Sequence, residues 1–143
     1  MTREIKFRAW IKEFDSDEFL MRDVSEMRFD EECLSVNPSG LGGWRDFSEV
    51  KLMQFTGLKD KNGTEIYEGD ILKWWVKSTN EFSEELLEVL WEQTGFTLFS
   101  KLFKRFGLPD GSQCTTEQAR QYMRNSEVIG NIYENPDLLK EAQ

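Results

Sequence analysis

Three carboxylates lie close together in the middle of the chain, and they are the residues best suited to chemistry. Glu65, Glu68 and Asp70 lie on both sides of Gly69 in the sequence. Asp60 lies before them, on the other side of a predicted hairpin turn. A hard cation such as Mg²⁺ prefers oxygen ligands of this type. Turns are also rich in aspartate for a structural reason, because the carboxylate accepts backbone N–H groups. Both interpretations stay open at this point: a cation site, and a carboxylate that holds the turn.

The composition removes most of the common catalytic chemistry. The chain has no histidine, and therefore lacks the commonest general base and the commonest metal ligand. A second acidic group, formed by Asp15, Asp17 and Glu18, starts like a calcium-binding loop but lacks the glycine and terminal glutamate that such a loop requires. We therefore interpret it as a solvated turn. The sequence indicates no enzyme, no catalytic residue, no cofactor and no metal ligand.

A short basic and aromatic segment is the best candidate for nucleic-acid binding. It contains the alternating residues Lys101, Phe103, Lys104, Arg105 and Phe106. Cations beside stacking rings are the ingredients of single-strand binding. The whole chain, however, has 18 Lys and Arg against 27 Asp and Glu, a net charge of −9, which opposes binding to phosphates. We favour an anchored surface segment over a nucleic-acid site.

Length and composition predict one globular domain in the cytoplasm. The chain has 143 residues, of which 38% are hydrophobic and 13% aromatic. Cys33 and Cys114 are too few for a disulfide framework, and we predict that they are small buried side chains and not nucleophiles. No signal peptide and no apolar run of membrane-spanning length is evident.

The central segment predicts three strands separated by two turns. The apolar runs cover residues 52–58, 64–67 and 71–76. Asn62-Gly63 is a strong hairpin signal, since both residues tolerate positive φ, and the turn at Gly69 also requires glycine. This order predicts a β-meander. In the third strand Trp74 and Trp75 must point to opposite faces, so that one is expected in the core and the other at a partner or under another part of the chain.

The flanking segments predict further strands and two short helices. We expect strands over 5–10, 19–21 and 127–133, a loop over 37–43, and a hairpin over 84–99, which we favour over a helix there. Thr115 and Gln118 have the spacing of a capping box, which predicts a helix over 116–125 with Ala119, Tyr122 and Met123 on its packed face. Asn135 and Pro136 have the composition of an N-cap followed by a first helical position.

Three motifs in this order resemble the YopX family of phage and prophage proteins. They are Arg3–Trp10 near the start, Met53–Ile71 in the centre and Glu127–Pro136 near the end. The positions that we assign to the structural motif of the family are Gly57, Asn62, Gly63, Tyr67, Gly69, Asp70, Gly130, Asn135 and Pro136.

The resemblance implies a fold but no activity. It implies a mainly β protein with minor α content: an SH3-like barrel, an N-terminal β-meander unit, one short helix in an insertion and a short C-terminal helix. The expected bounds within a single domain 1–143 are 1–50 for the N-terminal unit, 51–135 for the barrel with an insertion at about 102–126, and 136–143 for the terminal helix. The Pro38–Gly43 loop is expected to be a second insertion. The resemblance also implies self-association, and no catalytic residue can be transferred.

Three classes of function stay open. The favoured class is an oligomeric protein-interaction module encoded by a phage or prophage, which binds a host or phage protein in the bacterial cytoplasm and has no membrane partner. A nucleic-acid-binding SH3-like module is the alternative, and a carboxylate- and metal-dependent enzyme is the weakest. Because aromatic side chains are enriched in interface cores, Trp10, Trp74 and Trp75 are the candidate interface residues.

Overall fold

The computed structural model describes residues 4–13, 16–36, 43–77, 82–92, 95–100, 105–106 and 116–141. Within these ranges the protein is mainly β with two short α-helices, which confirms the predicted fold class. The chain divides into two compact units, Met1–Phe55 and Thr56–Gln143. The single-domain assignment and its internal bounds stay predictions. No helix in the described residues combines the length and apolar composition needed to cross a membrane.

The first unit contains two sets of antiparallel strands. Its elements are β1 (Phe7–Lys12), β2 (Phe19–Asp23), β3 (Glu26–Arg28), β4 (Cys33–Ser35), β5 (Trp44–Asp46), a 3₁₀ turn (Phe47–Glu49) and the first part of β6 (Lys51–Lys59). β1 lies between β2 and the start of β6, while β3, β4 and β5 form a consecutive meander. The apolar runs of the sequence predicted short strands connected by polar turns, and the first unit has this arrangement.

Alternation along β1 builds the core of this unit. Ala9 and Ile11 are buried against Leu34 and Val50, because residues two apart on a strand share a face. The predicted pattern began with Ile5, but Ile5 precedes the strand and its side chain is 70% exposed. The apolar face is therefore shifted toward the carboxyl end of β1.

The second unit is a curled antiparallel sheet with helices. Its elements after β6 are β7 (Glu65–Tyr67), β8 (Asp70–Lys77), β9 (Phe82–Glu92), β10 (Gly95–Ser100), β11 (Arg105–Phe106), α1 (Thr116–Arg124), β12 (Glu127–Asn131) and α2 (Asp137–Glu141). The five-stranded sheet has the order β11-β10-β9-β8-β12. The β9–β10 hairpin confirms the preference for strands over a helix in this segment. An SH3-like barrel stays a prediction. Thr115 of the capping box and residues 102–104 and 107–115 of the expected insertion lie outside the described residues.

The predicted central meander is wrong in one respect. β6 and β7 are neighbours, but β8 belongs to the five-stranded sheet, where it pairs with β9 and β12. The change of sheet occurs at Gly69, whose N–H donates to the Val89 carbonyl while its own carbonyl accepts the Ile132 N–H. The local sequence of this turn would equally allow β8 to pair with β7. The hydrogen bonds to Val89 and Ile132, which are distant in sequence, place β8 in the other sheet instead.

Helix α1 covers the core of the second unit. Ala119 and Met123 are each 1% exposed and join the cluster of Ile66, Leu87 and other buried aliphatic side chains. Their separation of four residues places them on one face of a helix. The predicted packed face of this helix is therefore confirmed.

Candidate functional site

Asp60 lies at the centre of the hydrogen bonds of the central motif, and its carboxylate is used internally. Oδ1 accepts the backbone N–H groups of Asn62 (2.8 Å) and Thr64 (2.9 Å), and Oδ2 accepts the N–H of Val128 (2.8 Å). The side chain is buried. Gly63 has a φ of +84° and completes the turn by donating to the Asp60 carbonyl. Asp60 therefore closes the β6–β7 hairpin and also ties it to β12.

Asp70 holds the next turn in the same way. Its side chain is 1% exposed, and Oδ2 accepts the N–H of Tyr67 at 2.8 Å. This contact is the structural alternative raised for the acidic cluster. Among the described residues, no group of three Cys, Asp or Glu side chains could hold a metal ion. The geometry gives the cation interpretation of Glu65, Glu68 and Asp70 no support.

Tyr133 lies where two further carboxylates approach. Burial raises the pKa of its phenol, and the negative charges of Glu68 and Glu88 raise it further. A phenol with a raised pKa stays protonated at neutral pH, so that Tyr133 is not an activated base. Glu88 is buried and was not singled out by sequence reasoning, because a lone glutamate in an apolar strand resembles an exposed position.

The carboxyl-terminal motif forms a second set of internal contacts. The Asn131 side-chain oxygen accepts the N–H groups of Tyr133 (3.0 Å) and Glu134 (2.8 Å). The Asn135 side-chain oxygen accepts the N–H of Asn131 at 3.2 Å. The Asn135 side chain therefore does not cap the last helix, because it turns back toward β12. The Asn135 carbonyl nevertheless accepts the N–H of Leu138 at 3.2 Å at the start of α2, and the assignment of Asn135 as the N-cap position stays a prediction. Asn131 was missed, although an asparagine side chain often accepts the backbone N–H two residues on, as this one does from Tyr133.

Gly130 gives a test of this second set. A Cβ at Gly130 would lie 2.5 Å from Oδ1 and 2.7 Å from Cγ of Asn135. We expect Gly130→Ala to lower the free energy of unfolding by about 1–2 kcal/mol, since the Asn135 side chain must leave its bond to Asn131. In an Asn135→Ala background the same substitution should cost less, since the two closest atoms, Oδ1 and Cγ, are gone and only the Cβ of residue 135, at 3.0 Å, remains. Urea unfolding of the four proteins measures this coupling, and additive losses would contradict the assigned contact.

The three predicted interface tryptophans are all partly buried. The ring of Trp74 lies 4.5 Å from that of Tyr122 and packs against the second unit's core. Trp75 is covered by Lys61, whose Nζ lies 3.5 Å from the ring centroid. Trp10 is stacked on Phe19 at 6.0 Å between centroids. Trp74 thus takes the predicted core position, and an interface role for the three stays a prediction.

The exposed apolar side chains lie elsewhere, and sequence reasoning missed them. The large apolar side chains that are most exposed in the described residues are Ile5, Phe19, Leu20, Phe29 and Trp91. Phe19 and Leu20 are consecutive on β2, which ends its sheet and, among the described strands, pairs with β1 alone. Phe29 is 73% exposed and precedes an acidic turn. The acidic residues after Phe29 could have predicted its exposure, because an apolar residue inside a solvated turn cannot reach the core.

A cleft of about 290 Å³ lies on the β3–β4–β5 meander. It is lined by Arg28, Glu31, Cys33, Trp44, Arg45 and Asp46. The Arg28 guanidinium carbon lies 4.4 Å from the centroid of the Trp44 ring. Burial raises the pKa of the Cys33 thiol, and the charges of Glu31, Asp46 and Asp30 raise it further against the opposing effect of Arg28. Cys33 is half-buried and not fully buried as predicted, and its raised pKa favours the thiol over the thiolate.

Further sequence predictions fall on residues outside the described ranges, among them most of the predicted 37–43 loop. Cys114 and residues 101–104 of the basic and aromatic segment lie outside the described residues. Of that segment, residues 105–106 form strand β11.

Comparison with known proteins identifies relatives but no activity. The family described as "YopX protein" matches residues 6–140. Among solved structures, the crystal structure of protein EF1440 from Enterococcus faecalis is similar, with 28% sequence identity and a TM-score of 0.60. The similarity covers 96% of this chain and 99% of that one. No protein of curated function matches significantly.

Proposed function

The chain belongs to the YopX family, and from that premise we propose that it is an oligomeric protein-interaction module whose subunits join through strand β2. The single observation that carries the proposal is an exposed edge strand with Phe19 48% and Leu20 38% exposed. An edge strand presents backbone donors and acceptors that can pair with another chain.

The register of β1 and β2 determines which backbone groups face outward. Glu13 donates its N–H to Glu18, and Val24 donates its N–H to Phe7. In an antiparallel pair the residues alternate between bonding inward and outward. Leu20 and Arg22 therefore bond toward β1, whereas Phe19, Met21 and Asp23 direct their backbone groups to the outer edge. Phe19, the more exposed of the two apolar side chains, is one of these outward-bonding residues.

The sequence of β2 is complementary to itself around Leu20. In a two-fold antiparallel pair centred there, Leu20 meets Leu20 of the second copy, Phe19 meets Met21, and Glu18 meets Arg22. These are an aliphatic pair, two aromatic–sulfur pairs and two opposite-charge pairs, each of which favours cross-strand contact. Arg22 already donates to Glu13 of its own copy, so that Glu18 of the second copy would be its second carboxylate. A two-fold axis uses the same patch on both copies. The occupant of this edge is thus a second copy of the chain.

The same proposal includes the cellular setting and the further partner of the protein. A protein of this family acts as a phage or prophage accessory protein in the cytoplasm of the bacterial host, with a host or phage protein as its further partner. The internal use of Asp60 and Asp70 supports a non-enzymatic role, because those carboxylates are occupied by backbone N–H groups. A net charge of −9 favours a protein partner over nucleic acid.

Molar mass in solution tests the β2 contact. By light scattering, wild type should have the mass of a dimer or larger, and Leu20→Lys that of a monomer, because two lysines would then face each other across the axis. Ile5→Lys is the matched control, since Ile5 is an exposed apolar residue of the same unit outside β2, and it should assemble like wild type.

A charge-reversed pair makes this test specific to the edge. Leu20→Glu alone should also be monomeric, whereas an equimolar mixture with Leu20→Lys should recover the dimer mass, because opposite charges then meet. A monomeric wild type, or a Leu20→Lys protein that still assembles, overturns the proposed contact. Capture from a host lysate with and without nuclease distinguishes a protein partner from one held through nucleic acid.

A further inference from the structure

The cleft on the β3–β4–β5 meander is built around a cation that stacks on an indole. Arg28, Cys33 and Asp46 form one row across the three strands, as their pairing register shows. Trp44 lies two residues from Asp46 and therefore on the same face. The Arg28 guanidinium lies over the Trp44 ring at 4.4 Å. A cation above an indole face is attracted by the ring quadrupole.

The contacts that hold Arg28 are weak enough to be exchanged. Its guanidinium is 3.4 Å from Glu26 Oε1 and 3.6 Å from Glu31 Oε2, and all three side chains are about half exposed. Exposed ion pairs of this type typically contribute about 0–1 kcal/mol. Arg28 can therefore leave the ring at little cost when another cation competes for it.

The residues around the cleft favour a ligand in which a cationic side chain lies next to an apolar one. Glu31 and Asp46 line the cleft together with Arg28 and Arg45, and the exposed Asp30 precedes Glu31 in the same turn, so that the carboxylates outnumber the cations once Arg28 leaves the ring. Phe29, adjacent to Arg28, is 73% exposed, and its ring contacts Phe47 edge-on at 6.2 Å between centroids. An acidic rim with an exposed aromatic anchor is complementary to a basic, partly apolar segment.

We propose that this cleft binds a basic segment of a partner protein, with an arginine side chain stacked on Trp44 in the place of Arg28. An apolar residue next to that arginine packs against Phe29, and Glu31 and Asp46 accept hydrogen bonds from its guanidinium. The proposal rests on the interaction-module function and names the chemistry of its partner. The overall negative charge accelerates encounter with such a segment.

Fluorescence anisotropy with a labelled Arg-Leu-Arg peptide, acetylated and amidated, tests the proposal. The Glu31→Gln/Asp46→Asn double variant should weaken binding by about fivefold to tenfold, and Phe29→Ser by about threefold to fivefold. The matched control Glu117→Gln/Asp137→Asn changes the net charge equally on exposed helical positions and should change binding by less than about twofold. Equal losses in the control would show non-specific attraction and overturn the site.

The Arg28→Ala variant tests whether Arg28 competes with the ligand for the Trp44 ring or instead supports the binding site. If Arg28 occupies the ligand position, Arg28→Ala should tighten peptide binding by about threefold or more, since the ring is vacated. Arg120→Ala makes the same charge change on an exposed helix and should have an effect below about twofold. Weaker binding by Arg28→Ala would contradict the proposal. An oligodeoxynucleotide that binds this cleft better than the peptide would also overturn it.

The possible results test the cleft proposal and the β2 contact independently of each other. A wild type that is dimeric but does not bind the peptide removes the cleft proposal alone. A monomeric wild type that binds the peptide and loses it in Phe29→Ser removes the β2 contact alone. Thermal unfolding of every variant confirms that a lost signal is not a lost fold.

Discussion

Replacing Asp60 by alanine should lower the free energy of unfolding by about 2–4 kcal/mol, because three backbone N–H groups lose their acceptor together. Two of these groups belong to the exposed turn residues Asn62 and Thr64 and can turn to water, but the third, Val128, is half-buried and 68 residues away in the chain. Urea unfolding followed by tryptophan fluorescence measures the change.

Two variants make the Asp60 result specific. Asp60→Asn retains one side-chain oxygen and should lose less than alanine does, since only part of the acceptor set is removed. Asp17→Ala removes an exposed aspartate that is 3.0 Å from Lys12 Nζ, and it should cost less than about 0.5 kcal/mol. An Asp60→Ala protein as stable as Asp17→Ala would show that the carboxylate does not join the hairpin to β12.

Gly69→Val should prevent folding or cost more than about 3 kcal/mol, a large share of the stability of a small protein. Gly69 has a φ of +85° and is buried, and its backbone groups bond to Val89 on β9 and to Ile132 just after β12. A β-branched residue is strained at this φ, and its side chain must also enter a packed region. Far-ultraviolet circular dichroism and thermal unfolding measure the loss.

Gly63→Val is the matched control for Gly69. Gly63 has a φ of +84°, and a Cβ there would meet no atom within 4 Å. It should therefore show the backbone strain alone, about 1–2 kcal/mol, and the difference between the two variants isolates the effect of burial and of the long-range bonds. Equal losses would indicate that Gly69 is an ordinary turn position.

Local patterns predicted the identity of most elements. β-branched and aromatic runs predicted β8 and the β9–β10 hairpin, and helical spacing of Ala119 and Met123 predicted the packed face of α1. These features depend on residues that are close in sequence, so that periodicity alone reveals them. The turn glycines at positions 63 and 69 were predictable for the same reason, since their conformation is a local property.

The role of the polar residues was only partly predictable. The sequence presented Asp70 as either a cation ligand or a turn acceptor, and the Tyr67 contact supports the second. It gave no indication that Asp60 reaches Val128, because that partner is 68 residues away. Asn135 has the composition of an N-cap, yet the close approach of Gly130 directs its side chain to Asn131 instead.

The candidate surfaces depended on tertiary structure even more. The exposure of Phe19 and Leu20 follows from the position of β2 at the end of its sheet, which is a matter of strand order. The stack of Arg28 on Trp44 joins residues of β3 and β5 across a third strand. Sequence patterns cannot distinguish an apolar residue on an edge strand from one on a central strand.

By itself, the sequence determined that this protein is mainly β, where its turns require glycine and that it lacks histidine chemistry. Only the tertiary structure decided that β8 leaves β7 for another sheet, that Asp60 joins a hairpin to β12, and that exposed aromatic groups lie at an edge and beside a cleft. The physical reason is that conformational preferences act over a few residues, whereas sheet order and burial are set by contacts between distant ones.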